Sequence, residues 1–443
     1  MGLTALEIYK HLPKKNCTEC GVPTCLAFAM QLASLKVKLE ACPYVTEQGK
    51  AALAASSAPP IRLTKIGAGA NVVGIGDEVV LFRHDKTFFH PTALAGMVLD
   101  TSSEADIITN ATELNSLRTE RVGLMMKLDL IAVKSAAGDP ARFARAVELV
   151  KSKSDLPLVL VADSAPVIEA GLKLAGKDRP LIHAATAANW EAMAKLAKEH
   201  KCPLAILAPG LDALSELAGK VKGAGVEDIV LDIGEMPMGK TLEMLTGLRR
   251  LTIKKNLRAL GYPVLMVVKD DAIAPMKAAL GVMKYASAVI MEKVDPATLY
   301  PIMTLRQNIY TDPQKPIQVK AGIYEVGKPS DGSPLLFTTN FSLTFFTVQG
   351  DIEKSKVPAY LMVLDTEGLS VMTAFAAGKL TPEMVQKLMD ESGIKAKLSH
   401  KKIVIPGIVA RMSGKLGELT GWEVVVGPRD SSGIPSFIKA YVK

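Results

Sequence analysis

The chain holds five cysteines, and four of them fall within 26 residues: Cys17, Cys20, Cys25 and Cys42, spaced C-x2-C-x4-C-x16-C. Four thiolates on one short segment suit a [4Fe-4S] cluster or a tetrahedral zinc ion. The first three share a loop that Gly21 and Pro23 make compact. The fourth follows a helix-length spacer and precedes Pro43. Cys-Pro at the last ligand also occurs in bacterial ferredoxin runs. Structural zinc sites usually repeat a short Cys pair, whereas Cys42 stands alone, so the spacing favours the cluster over zinc. Disulfides need an oxidising compartment, and MGLTALEIYKHLPKK has no apolar signal core; a reducing, cytoplasmic setting is expected. Leu26, Phe28 and Met30 are expected to cover the dry side of the cluster. His11 reads as solvated, since four thiolates already suffice.

A second group of residues lies near the end of the chain. DTEGLSVMTAF (365–375), PGIVARMSG (406–414) and GPRDSSGIPSF (427–437) each follow an apolar run, are rich in Gly or Ser, and open a helix. Ligands bind beyond the carboxyl ends of strands in open parallel sheets. Gly368, Gly407 and Gly427 would let a backbone approach a large ligand. The same residues are also normal in plain βα turns. No G-x-G-x-x-G is present, so a dinucleotide is not indicated. Asp163, His183, Asp232 and Glu292 fall at strand ends in the middle of the chain, where barrel enzymes place catalysts. No H-E-x-x-H and no nucleophile elbow accompanies them, so this region is read as architectural. Cys202 and the methionines read as core.

These groups need elements to position them, and the 443 residues suffice for two or three domains. Hydrophobic residues at 49% and charged at 22% describe a well-cored protein, and no apolar run is long enough to span a membrane. The net charge of +8 is scattered and aromatics reach only 5%, which argues against nucleic acid and leaves steering of acidic partners or anionic ligands. Residues 1–57 form the cysteine module, with helices over 5–12 and 26–39, and 51–60 reads as a linker. Eight apolar runs follow, at 79–82, 128–133, 158–162, 181–184, 204–208, 229–233, 264–268 and 288–292, separated by amphipathic helices. This alternation predicts an α/β fold with a TIM (β/α)8 barrel over 58–315; a doubly wound open sheet is the alternative. The Pro- and Gly-rich stretch 311–335 marks the next boundary. Residues 316–443 form a smaller α/β domain, with 339–352 extended and further strands in 359–368, 401–410 and 422–428.

The segment LEIYKHLPKKNCTECGVPTCLAFAMQLAS, with Cys42-Pro43 beyond it, resembles the start of the large subunits of corrinoid iron-sulfur proteins. These belong to the acetyl-CoA (carbon monoxide dehydrogenase/acetyl-CoA synthase) pathway of anaerobes. The resemblance runs the full length and implies a cluster module, a barrel and a Rossmann/flavodoxin-like corrinoid-binding domain. It implies a methyltransferase component that carries a methyl group from methyltetrahydrofolate, by way of a separate methyltransferase, to the nickel site of acetyl-CoA synthase. It further implies pairing with a small barrel subunit, and an electron from the [4Fe-4S] cluster to restore oxidised cobalt. Many corrinoid domains carry D-x-H-x-x-G, whose His ligates cobalt. None exists here, and of the six histidines only His400 lies in the last domain. A corrinoid here should therefore lack a protein nitrogen ligand, and the resemblance implies that its own base is displaced as well, so that a cobalamin-type cofactor would be base-off and His-off. Its implied contacts are Asn340, Thr344 and Phe346, then Gly368, Leu369, Ser370, Val371, Met372 and Thr373, with Thr373 nearest cobalt. Gly407, Ile408, Val409, Ala410 and Arg411 follow, then Gly427, Pro428, Gly433 and Ser436. An iron-sulfur carrier fused to a folate- or pterin-using barrel enzyme is the alternative function.

Overall fold

A computed structural model describes residues 4–34, 36–50, 53, 59–85, 88–311 and 316–441. Most of the expected linker 51–60, and residues 312–315 of the second boundary, lie outside the described residues. Contacts divide the chain into two compact units. One comprises 1–119 and 126–310, the other 120–125 and 311–443.

In the first unit, the helices Ala5–Lys10 and Cys25–Ala33 are both shorter than expected. They close on a small core of Ile8, Leu12, Val22, Phe28, Ala29, Leu32 and Leu39. A hairpin of Thr64–Ile66 (β1) and Val73–Ile75 (β2) comes next. The barrel strands begin with Ala93–Leu99 (β3), and a second small hairpin, Arg118–Arg121 (β4) and Leu124–Lys127 (β5), precedes the rest. These are Leu130–Lys134 (β6), Leu158–Val161 (β7), Leu181–Ala185 (β8), Leu204–Leu207 (β9), Ile229–Asp232 (β10), Val264–Val268 (β11) and Ala288–Met291 (β12). Eight parallel strands close in the order β10-β11-β12-β3-β6-β7-β8-β9.

The interior is filled by period-2 side chains, small ones such as Ala95, Ala132 and Ala205 opposite Leu130, Leu181 and Leu265. Ile66 and Ile75 of the β1–β2 hairpin join this interior. Thr64 and Gly67 in that hairpin bond to Ile229 and Arg179, so it covers the amino ends of the strands.

The expected strand at 79–82 is a correction: no strand forms there, Phe82 is exposed, and the Val80 carbonyl accepts from Arg249 at 2.5 Å. β3 takes its place. Its sequence ALAGMVL lacks the β-branched signature, but six of its seven residues are buried. Gly96 is needed there, because a Cβ would fall 2.4 Å from Leu114 Cδ2.

The second unit is a five-stranded sheet of Gly322–Val326 (β13), Leu335–Thr339 (β14), Ala359–Leu364 (β15), Lys402–Ile405 (β16) and Glu423–Val426 (β17). The order is β13-β15-β14-β16-β17, parallel except for β13 at the edge. Residues 339–352, expected to be extended, instead give the helix Ser342–Ser355. Its aromatic and β-branched residues suggested a strand, but Phe345 and Ile352 are buried two turns apart on one face. That helix and Ile434–Tyr441 cover one side of the sheet through Leu336, Leu361 and Val404. Pro382–Glu391 and Ser413–Thr420 cover the other through Phe337, Met362 and Ile403. Among the described residues, no helix is long and apolar enough to cross a membrane.

Candidate functional site

The cysteine loop is built on unusual backbone. Lys14, Asn16 and Thr18 have φ of 57°, 48° and 65°, a left-handed region that is a genuine outlier for β-branched Thr. Such conformations cost on the order of 1–3 kcal/mol each and persist where surroundings fix them. Left-handed turns of this kind can form backbone N–H concavities that recur at iron-sulfur sites. Asn16 accepts from the Cys25 N–H at 2.8 Å and donates its own N–H to Cys25 Sγ at 3.4 Å. Cys25 opens a helix that Thr24 caps by accepting from Ala27, so its thiol sits at the positive helix end. Cys42 follows the 3₁₀ turn Leu39–Ala41.

All four thiols line one small cavity. Cys25 and Cys42 are buried, Cys17 and Cys20 half-buried. Burial pushes the Cys42 thiol up, against a pull downward from the Tyr44 N–H. Among the described residues, no three Cys, His, Asp or Glu side chains are placed to hold a single ion. An all-sulfur donor set spread around a shared void fits a cluster. Leu26 and Met30 do not cover it: they are 39% and 61% exposed, a quarter-turn and more from the inward face of Cys25, Phe28, Ala29 and Leu32. Leu12 and Val22 join Phe28 on the cavity wall instead.

In the second unit a cavity of about 230 Å³ opens at the carboxyl ends of β14 and β16. The strand order reverses between these two strands, which opens a crevice for a ligand. Of the residues expected at a ligand, Thr344, Ser370, Val371, Met372, Ile408, Gly427 and Pro428 line it. Thr373 is exposed in the first turn of the helix Val371–Ala376, its hydroxyl 3.0 Å from Ser370 Oγ. Arg411 is exposed, Ala410 half-buried, and Ser436 is exposed with its hydroxyl donated to the Gly433 carbonyl. Leu369 packs on the core and Val409 lies within it, fully buried. Phe346 stacks edge-on to Phe345 and is half-buried.

Asn340 is fully used by the protein. Its Oδ1 accepts from Thr366 N, Thr366 Oγ1 and Gly368 N, and its Nδ2 donates to Gln318 and Asp365. It positions the loop after β15 and has no bond left for a ligand. Gly407 serves a different close approach from the expected one: a Cβ there would meet Gly427 O at 2.5 Å, so the loops after β16 and β17 need it to touch.

Sequence reasoning missed Thr338, Val404, Ile405 and Ile434 on the cavity wall. Reading 339–352 as extended removed the helix that forms one side of the crevice. Three buried hydroxyls at this strand end, on Thr338, Thr339 and Ser342, have no hydrogen-bond partner among the described residues. His400 lies two residues before β16, bonded to the Ser333 carbonyl, so no histidine lines the cavity.

At the barrel's carboxyl face, Lys134, His183 and Asp232 continue the inward alternation of β6, β8 and β10, and Glu292 follows β12. Four polar side chains from alternate strands make one layer. They pair as His183 Nε2 to Asp232 Oδ2 at 2.6 Å and Lys134 Nζ to Glu292 Oε1 at 3.1 Å. Asp163 stays outside this layer; its carbonyl accepts from Asn189. Cys202 is buried and its thiol is pushed up to about 12 by burial, an inert core group.

Two family models match the chain. Residues 12–44 match one described as a putative Fe-S cluster, and residues 64–438 match "CO dehydrogenase/acetyl-CoA synthase delta subunit". The corrinoid/iron-sulfur protein large subunit of Moorella thermoacetica is 46% identical over 99% of both chains. The acetyl-CoA decarbonylase/synthase complex subunit gamma of Methanopyrus kandleri is 37% identical over 99% of this chain and 97% of its own. That of Methanothermobacter thermautotrophicus is 36% identical over 99% of each. The similarity spans thiol loop, barrel and C-terminal sheet alike, and the chain belongs to the family of corrinoid/iron-sulfur protein large subunits.

Proposed function

We propose that this chain is the methyl carrier of an acetyl-CoA-forming complex, working with a small barrel subunit. A base-off, His-off corrinoid of cobalamin type would take the methyl group of methyltetrahydrofolate through a methyltransferase and pass it to the nickel site of acetyl-CoA synthase, with a [4Fe-4S] cluster supplying the electron that restores it after oxidation. The full-length kinship with a named corrinoid/iron-sulfur large subunit carries this reading.

The chain's own residues have definite tasks in it. Cys17, Cys20, Cys25 and Cys42 hold the cluster, and the N–H groups of the strained loop temper its negative charge. The crevice between β14 and β16 holds the cofactor's tail, and its largely apolar wall limits water there. Asn340 fixes the loop that brings Ser370 and Thr373 to the rim, where Thr373 faces the ring near its metal. With no histidine on the wall, the protein offers that metal no nitrogen, which eases reduction.

Anaerobic purification tests the reading. About four iron and about one cobalt per chain, without zinc, are expected. The cobalt(II) EPR spectrum should lack nitrogen splitting; a nitrogen triplet would sink the base-off state. Cys20→Ser should lose the iron yet keep cobalt and methyl transfer once the protein is chemically reduced. Zinc in place of iron, or no cobalt, overturns the proposal.

A further inference from the structure

The crevice has one buried polar group with nothing to bond. Thr338 is next to last in β14, 1% exposed, and lines the cavity. Its Oγ1 has no partner among the described residues. Around it on the wall stand Leu336, Val348, Val404 and Ile434. The other polar side chains on that wall, such as Ser370 and Arg429, are half-buried or exposed, nearer the rim. A buried hydroxyl without a partner is destabilising by roughly what a hydrogen bond contributes, so an apolar slot keeps one where a ligand answers it.

The ligand proposed above has a matching need. A tail base detached from its metal carries a ring nitrogen with a free lone pair. Placed in a dry slot, that nitrogen is itself an unpaired acceptor and needs a donor. We infer that Thr338 Oγ1 donates to this unligated ring nitrogen, and so selects corrinoids with nitrogenous tail bases over those with phenolic ones. The inference rests on the corrinoid reading. It goes beyond it in naming the class of base and the residue that recognises it. Thr338 sits on a strand buried on both faces, so its hydroxyl is held at a fixed place, which recognition of one atom requires.

The test uses the full chain purified with its small subunit and stripped of corrinoid. Two corrinoids that differ only in the tail, benzimidazolyl and phenolyl, are titrated in and followed by visible absorbance. The wild type should bind the benzimidazolyl form about tenfold more tightly. Thr338→Val keeps the shape and removes the hydroxyl. It should erase this preference by weakening the benzimidazolyl form alone, while Thr338→Ser keeps the preference. Equal weakening of both forms, or an unchanged preference in Thr338→Val, overturns the inference. A wild type with no preference, or one for the phenolyl form, overturns it without any variant. A wild type that binds neither corrinoid overturns the corrinoid reading itself, so the two failures are distinct.

Discussion

Asn340 shows how one carboxamide can hold a loop in place. Five hydrogen bonds converge on it from two separate segments of chain, Gln318 and residues 365–368. Asn340→Ala would leave the Thr366 and Gly368 amides buried and unpaired, at about 1–3 kcal/mol each. We expect a lower melting temperature and a lower cobalt content in the purified protein; a variant that melts like wild type with full cobalt contradicts the positioning role. Residues differ in how far the sequence betrays them. The four cysteines stood out because thiol spacing is written in the local sequence, and the structure gathers them around one cavity. Asn340 looked like a ligand contact because it sits at a strand end, but its bonds come from residues 22 to 28 positions away, which no local pattern records. Thr338 was invisible for a related reason: a threonine inside an apolar strand reads as filler until its missing partner is seen.

At the scale of elements, the barrel was legible wherever Val, Ile and Leu dominate a strand, as in LVLV and IVLD. It was misread at its first strand, because VVLF satisfies β propensity while ALAGMVL does not. Closure decided between them: the strand must pair with β12 and β6 and admit Leu114 beside Gly96. The polar layer at the barrel mouth is proposed to be structural, since its members pair with each other. His183→Ala should then change methyl transfer less than about tenfold. Asp232→Ala should cost about 1–3 kcal/mol of stability by leaving His183 without its buried hydrogen-bond partner. A loss of several orders of magnitude in rate, with the melting curve unchanged, would make the barrel catalytic instead.

At the scale of the whole molecule, the two units do not coincide with two stretches of sequence. Residues 120–125, the tip of the β4–β5 hairpin, belong with the C-terminal sheet although barrel elements flank them. Gly123 has φ 76°, and a Cβ there would fall 2.9 Å from the ring of Phe346. Gly123→Val should therefore lift the tip from the helix Ser342–Ser355. Faster proteolysis within 118–127, with iron content unchanged, is the expected result; cleavage at the wild-type rate would mean the tip tolerates a side chain. Nothing in the sequence marks this hairpin as part of the later unit, since its role is set by what lies beside it in space.

Synthesis runs in one direction, and this arrangement places a piece of the second unit early in it. The hairpin tip leaves the ribosome long before the strands it accompanies, so it has no partner until the helix Ser342–Ser355 has been made. A gene fragment encoding residue 311 onward specifies an incomplete body. Grafting the C-terminal sheet between relatives would need the hairpin to travel with it.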